Sequence, residues 1–111
     1  MTEDQAPGFD AGAVADCLAE LYDRDFGGNR RGRFRISMKL LKRIAGRRRL
    51  SAAQLRAIAD EIFERGLVLV DLETFFVVLS QRTFASYRRV NEASVEPVLA
   101  GRSAASRRSS R

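Results

Sequence analysis

The side chains that most often perform nucleophilic, acid–base or metal chemistry are scarce in this sequence of 111 residues. Histidine is absent, and Cys17 is the single cysteine. Without histidine the chain cannot build a Ser-His-Asp or Cys-His nucleophile, or a zinc site with His ligands. A single cysteine excludes an internal disulfide and a cysteine-cluster zinc site. We therefore expect a protein that is not an enzyme and that holds no metal ion or other cofactor.

A group of carboxylates is the alternative that would support catalysis. Asp60 and Glu64 have i, i+4 spacing, and Asp71 and Glu73 follow on a nearby turn. Clustered carboxylates with a neighbouring lysine are what a Mg²⁺-dependent nuclease requires. Solvated acids on a helix exterior are ordinary, however, and this spacing matches no nuclease pattern. We favour surface carboxylates over a metal site.

The net charge of +6 conceals an uneven order of charges along the chain. Residues 1–26 hold seven acids and one base, whereas residues 27–56, the basic segment, hold eleven bases and no acid. Residues 57–79 are acidic again, and residues 80–111 are basic. A segment that repels itself in this way usually meets a polyanion, most often nucleic acid. A GC-rich genome would explain the preference for arginine but not the absence of acids.

Apolar residues at helical spacing predict three helices, over residues 11–26, 38–46 and 52–65. Ser37 and Ser51 precede the second and third helices as N-caps, and a glycine ends each of these two helices. The apolar face predicted for the third helix is formed by Leu55, Ile58, Ala59, Ile62 and Phe63. The positions of that helix predicted to face solvent are Ala52, Ala53, Gln54, Arg56, Ala57, Asp60 and Glu61.

Period-two patterns predict three strands. Residues 33–36 form a short strand with its arginines in solvent, and residues 67–70 and 75–79 form a hairpin around the turn 71–74. The strand 75–79 is apolar on both faces, so we expect a terminal helix or a partner subunit to cover its second face. In the first helix, Cys17 shares the apolar stripe, and we expect it to be buried.

The ends of the chain differ in character from the middle. Residues 1–9 contain Pro7 and Gly8 and predict a flexible acidic arm. A last helix is predicted over residues 81–91, which completes a domain of residues 10–92. Residues 93–111 are rich in serine and arginine and predict a disordered basic tail.

This order (helix, short strand, helix, helix, β-hairpin, with an extra C-terminal helix) resembles the winged-helix variant of the helix-turn-helix. The resemblance covers residues 10–80 and lies in element order and length, not in a sequence motif. It implies a small α+β domain whose third helix enters the DNA major groove from Ser51 onward. Gln54 would then pair with adenine and Arg56 with guanine, while the preceding arginines contact phosphates. The candidate DNA-binding residues are Arg30, Arg31, Arg33, Arg35, Lys39, Lys42, Arg43, Arg47, Arg48, Arg49, Ser51, Gln54 and Arg56.

The leading hypothesis is therefore a small protein that binds duplex DNA, as a bacterial or mobile-element transcriptional regulator or accessory factor. The predicted hairpin carries Asp71 and Glu73, which repel phosphate, so the alternative is a protein-interaction module, an adapter or inhibitor that docks an acidic partner. RNA binding and membrane-surface binding are less favoured. We also expect a homodimer through the first and last helices.

Two further features bear on location. No apolar run approaches the ~20 residues that span a bilayer. The chain starts with acidic residues where a signal peptide is basic and then apolar. We expect a cytoplasmic protein, associated with the nucleoid if it binds DNA.

Overall fold

A computed structural model describes the backbone of residues 8–109 and the side chains of residues 8–103. Four α-helices and a three-stranded sheet form within these residues, and the predicted α+β class is confirmed. The elements are α1 (Ala11–Tyr22), β1 (Phe34–Ser37), α2 (Met38–Ala45), α3 (Ala52–Glu64), β2 (Leu67–Asp71), β3 (Phe75–Ser80), a 3₁₀ helix (Gln81–Ser86) and α4 (Glu92–Ser109).

The sheet is antiparallel, in the order β1-β3-β2, so β3 is its central strand. Val78 of β3 lies opposite Phe34 of β1 and Leu69 of β2. We call the β2–β3 hairpin the wing. In its turn, the Asp71 carboxylate accepts the Glu73 N–H at 2.8 Å. Glu73 has a φ of 71°, a left-handed conformation that is uncommon for a residue other than glycine.

Helices α1, α2 and α3 and one face of the sheet enclose a single core. Apolar side chains at i, i+3 or i+4 spacing on each helix meet the alternate residues of β3, because a strand points every second side chain to the same face. The fully buried large side chains are Leu18, Leu41, Ile58, Ile62, Phe76 and Val78.

Arg65, just after α3, links that helix to α1. Its Nε donates to the Asp16 carboxylate at 2.9 Å, and a terminal nitrogen donates to the Gly12 carbonyl at 3.3 Å. A second terminal nitrogen lies 3.6 Å from the Glu61 carboxylate. The hydrogen bond to Asp16, with the charges of Asp16 and Glu61, raises the pKa of the Arg65 guanidinium. Asp16 of α1 and Glu61 of α3 thus pair with an arginine that lies outside the basic segment.

The structure corrects the predicted orientation of two helices. Cys17 is exposed, because the buried side of α1 is set by Val14, Ala15 and Leu18. At ~100° per residue, Cys17 lies about 200° from Ala15, on the opposite side of the helix. Phe63, predicted to face the core, is 60% exposed, because Ile58 and Ile62 define the buried face of α3.

The predicted end of the first helix is also wrong. Helix α1 stops at Tyr22, whose carbonyl accepts the N–H of Gly32 at 2.9 Å. The chain then folds into a tight turn at Phe26–Asn29, where Gly27 and Gly28 both have positive φ. Glycine adopts this conformation without steric cost, so the pair allows the tight turn that follows the helix.

The terminal predictions are corrected as well. Phe9 is buried in the core, so the predicted arm does not include it; residues 1–7 lie outside the described residues. Residues 81–91 form the 3₁₀ helix and an extended connection rather than an α-helix. Residues 93–109 of the predicted disordered tail instead belong to helix α4, which starts where the Asn91 carboxamide accepts the Ser94 N–H at 2.9 Å; residues 110 and 111 lie outside the described residues. The described side chains of α4 are exposed.

The second face of β3 was expected to be covered by a helix or a partner. Leu79 is buried there, but Phe75 and Val77 are only half-buried. The Arg35 guanidinium lies 5.8 Å from the centre of the Phe75 ring, a cation–π contact from the neighbouring strand. Within the described chain, the Arg35 side chain therefore covers part of the face for which a helix or a partner is expected.

The adjacent residues Cys17 and Leu18 test the observed orientation of α1. Leu18→Ala should lower the free energy of unfolding by about 2–5 kcal/mol, because it leaves a cavity at a fully buried position. Cys17→Ala should change it by no more than about 0.5 kcal/mol. Urea denaturation followed by circular dichroism measures both. A large loss in the Cys17 variant would contradict the observed orientation.

Candidate nucleic-acid interface

Ten of the eleven bases of the basic segment form no salt bridge with the side chains that the structure describes. Among the described side chains, salt bridges join Arg24 to Glu20 at 2.6 Å and Arg65 to Asp16 and Glu61. Both of these arginines lie outside the basic segment. The bases of the segment for which the described part shows no salt bridge are Arg30, Arg31, Arg33, Arg35, Lys39, Lys42, Arg43, Arg48, Arg49 and Arg56. Their charge remains available to an external anion.

The thirteen candidate residues differ in how far they reach solvent. Lys42, Arg47 and Ser51 are half-buried, and Gln54 is buried. The exposed candidates are Arg30, Arg31, Arg33, Arg35, Lys39, Arg43, Arg48, Arg49 and Arg56.

The turn between α2 and α3 presents two of its three arginines. Gly46, with φ of 67°, ends α2, and the Arg47 N–H donates to the Lys42 carbonyl at 3.0 Å. The Arg47 guanidinium lies 5.9 Å from the centre of the ring of Phe9, a buried core residue, and forms a cation–π contact with it. Arg48 and Arg49 are exposed immediately before α3. The turn therefore anchors one arginine and leaves the next two accessible.

Ser51 and Gln54 form a reciprocal capping box. The Ser51 hydroxyl accepts the Gln54 N–H at 3.0 Å, and the Gln54 side-chain oxygen accepts the Ser51 N–H at 2.9 Å. Gln54 is only 7% exposed, so its predicted position on the solvent face is wrong. The spacing Ser-x-x-Gln signals this box in the sequence. Both side chains are engaged with the start of α3, and neither points outward for base contacts.

The exposed face of α3 has low relief. Arg56 stands among alanine side chains, and a shallow hollow of about 450 Å³ is lined by Ala52, Ala53, Arg56, Ala57 and Asp60. A second groove, of about 310 Å³, separates α3 from the wing and is lined by Ala52, Leu55, Arg56, Ala59, Leu69, Asp71 and Phe76. Small side chains allow another molecule to approach the helix closely around Arg56. Acids border this surface on both sides.

The loop before β1 is not part of the surface formed by α3 and the wing. Phe34, the first residue of β1, pairs with Val78 near the end of β3, whereas the wing turn precedes Phe75 at the start of β3. Residues 30–33 therefore emerge at the end of the sheet opposite to the wing. Ala52 and Arg56 share their groove with Asp71, at the wing end. The candidates that the sequence treats as one surface are divided between two ends of the sheet.

Phe9 is the structural residue that sequence reasoning missed. It directly precedes Asp10, whose carboxylate caps α1 by accepting the Ala13 N–H at 3.0 Å. An apolar residue at this position commonly packs against the fourth helical residue, here Val14, and both belong to the core cluster. That local motif was the available signal, and it would have placed Phe9 in the domain.

No group of three or more Cys, Asp and Glu residues within 8–109 is arranged to hold a metal ion. Over the same residues, no helix is long and apolar enough to cross a membrane. Comparison of the chain with protein families, with curated proteins and with solved structures finds no match. The function is therefore argued from the site alone.

Substitutions in the capping box test the observed roles of its two side chains. Ser51→Ala should lower the free energy of unfolding by about 1 kcal/mol, because α3 loses the acceptor for its Gln54 N–H. Ser51→Thr keeps a hydroxyl acceptor and should retain most of the stability. Gln54→Ala should also lower the melting temperature, without altering any preference among duplex sequences. A changed sequence preference at unchanged stability would show that Gln54 reads bases after all.

Proposed function

We propose that the protein is a small duplex-DNA-binding protein of the winged-helix type. The observation that carries the proposal is the pair Arg48 and Arg49, exposed directly before the exposed face of α3 and in no salt bridge among the described side chains. Arginines at this position can contact phosphates on both sides of a groove while the helix lies within it. The order of elements along the chain supports the same type of domain.

Within this proposal, Arg56 is the residue that contacts a base edge. Its guanidinium can donate two hydrogen bonds to guanine, and the neighbouring alanines allow the helix to approach the groove floor. Lys39 and Arg43, exposed on α2, add positive charge beside the turn. With Gln54 turned inward, a single base-reading side chain remains on the first two turns of α3, so we expect binding that tolerates many sequences.

The acids set the limits of the proposed footprint. Asp60 lies one turn beyond Arg56, and Asp71 faces the groove between α3 and the wing. Carboxylates repel phosphates, so the duplex would contact the turn and the start of α3 but not the wing. This arrangement suits an accessory factor or regulator that makes few phosphate contacts.

A second candidate function is protein interaction through the wing. Leu72 is exposed at the tip of the wing between Asp71 and Glu73. An apolar side chain flanked by two acids can pack against a protein surface with complementary charge. The basic segment could then dock an acidic partner in place of DNA.

Two double variants with the same change in net charge test the proposed interface. Arg48→Glu with Arg49→Glu should weaken binding to a random-sequence duplex by tenfold or more. Arg30→Glu with Arg31→Glu, at the other end of the sheet, should weaken it far less. Fluorescence anisotropy over a range of salt concentrations measures both, and the first variant should also reduce the slope of log K against log salt by about 2.

Equal losses in both variants would mean that total charge, not this surface, governs binding. Unchanged binding in the Arg48 and Arg49 variant would overturn the proposal. In that case the wing variant Leu72→Ser should be tested for loss of a protein partner from a nuclease-treated extract.

A further inference from the structure

The segment that follows β3 exposes two aromatic rings. Phe84, in the 3₁₀ helix, is 38% exposed, and Tyr87, just after it, is 61% exposed. Their rings meet edge to face, with centroids 5.2 Å apart and planes at 88°. The segment is held in place by Gln81, whose side-chain nitrogen donates to the Phe63 carbonyl at 2.7 Å. This hydrogen bond joins the start of the segment to the end of α3.

Arginines surround this aromatic pair. Residues 80–91 contain Arg82, Arg88 and Arg89 and no acid, and all three are exposed. None of them forms a salt bridge in the described part of the chain. A hollow of about 620 Å³ is lined by Tyr87, Arg88, Arg89, Val90 and Ser94.

A second basic and aromatic segment lies at the same end of the sheet. Because Phe34 pairs with Val78, β1 begins beside the place where β3 ends. The loop before β1 exposes Phe26, whose ring packs edge-on against Phe34 with centroids 5.9 Å apart. A hollow of about 310 Å³ there is lined by residues that include Arg30, Arg33 and Arg35. The loop holds two acids: Asp23 caps the end of α1, and the Asp25 carboxylate accepts the backbone N–H of Arg31 at 2.7 Å.

We propose that this end of the molecule, formed by the loop before β1 and the segment 81–91, binds single-stranded nucleic acid. Unpaired bases would stack on Tyr87 and Phe84, while the arginines contact the phosphates. Stacking requires the open face of a base, which a duplex hides between its neighbours. Exposed rings among arginines that form no salt bridge in the described part of the chain therefore favour a single strand over a duplex here. The proposal uses none of the residues assigned to the duplex-binding surface.

Anisotropy of a fluorescein-labelled dT20 oligonucleotide with the full chain measures this binding. Tyr87→Ala should weaken binding about tenfold, because one stacked base loses its platform. Tyr87→Phe keeps the ring and should bind as the unchanged protein does. Because Tyr87 is largely exposed, both variants should retain the circular dichroism spectrum. Equal affinity of Tyr87→Ala and the unchanged protein would overturn the proposal.

Intrinsic fluorescence provides a direct test of stacking. The chain has two tyrosines and no tryptophan, and the other tyrosine, Tyr22, is half-buried in α1. Unlabelled dT20 should quench the tyrosine emission of the unchanged protein. Tyr87→Phe should bind dT20 without that quenching. Quenching of the same size in Tyr87→Phe would show that Tyr87 does not stack on a base.

The duplex-surface variant completes the design. Arg48→Glu with Arg49→Glu should leave dT20 affinity within about twofold, whereas Arg88→Glu with Arg89→Glu should reduce it by tenfold or more. A loss confined to the Arg48 and Arg49 variant would place the single strand on the turn before α3 and overturn the proposal. A parallel titration with rU20 distinguishes RNA from DNA as the single strand that this end of the molecule prefers.

Discussion

The burial of one face of α3 against α1 and the sheet is the constraint on which the surface of this protein depends. Gln54, Ile58 and Ile62 lie at i, i+4 and i+8 and are the buried residues of the helix. Since a helix is rigid about its axis, fixing these three residues fixes the direction of every other side chain. Arg56 is turned outward by the same packing that turns Gln54 inward. The chemistry of the exposed face is therefore a consequence of the core.

Electrostatics follows from the same packing. Because α1 and α3 are in contact, the Asp16 carboxylate of α1 pairs with Arg65, which also lies close to Glu61 four residues earlier. These acids are consequently not available to the basic segment. Like charges held together without counter-charges destabilise the folded state, and a bound polyanion relieves that repulsion. The folded protein therefore retains an electrostatic repulsion that binding of an anionic partner reduces.

Much of the fold could be predicted from local patterns. Ser37, Ser51 and Gly46 mark helix ends through interactions with residues three or four positions away, and the hairpin is equally local. Some errors arose where distant contacts decide, and others where a local capping motif, as at Phe9, Gln54 or Asn91, was not recognised. The apolar stripe of α1 has several plausible orientations, and only packing against α3 places Cys17 outside. The helix α4 was missed because serines, Pro97 and Gly101 are typical of irregular chain, while the cap at Asn91 was not recognised.

The candidate site, too, could be predicted only in part. The exposure of the arginines could be predicted, since buried unpaired charges are rare. Their division between two surfaces could not, because it depends on which residue of β3 pairs with Phe34. Strand register across about 40 residues of chain is long-range information that periodicity does not contain.

That register also determines how far the two surfaces act independently. Strand β3 has six residues, so its first and last residues lie about 17 Å apart at ~3.4 Å per residue. At physiological ionic strength, exposed charges are screened over about 8 Å. A charge change at the turn before α3 therefore has little direct effect on phosphates bound near Tyr87. Two polyanion surfaces on one small domain can consequently be occupied, and altered, separately.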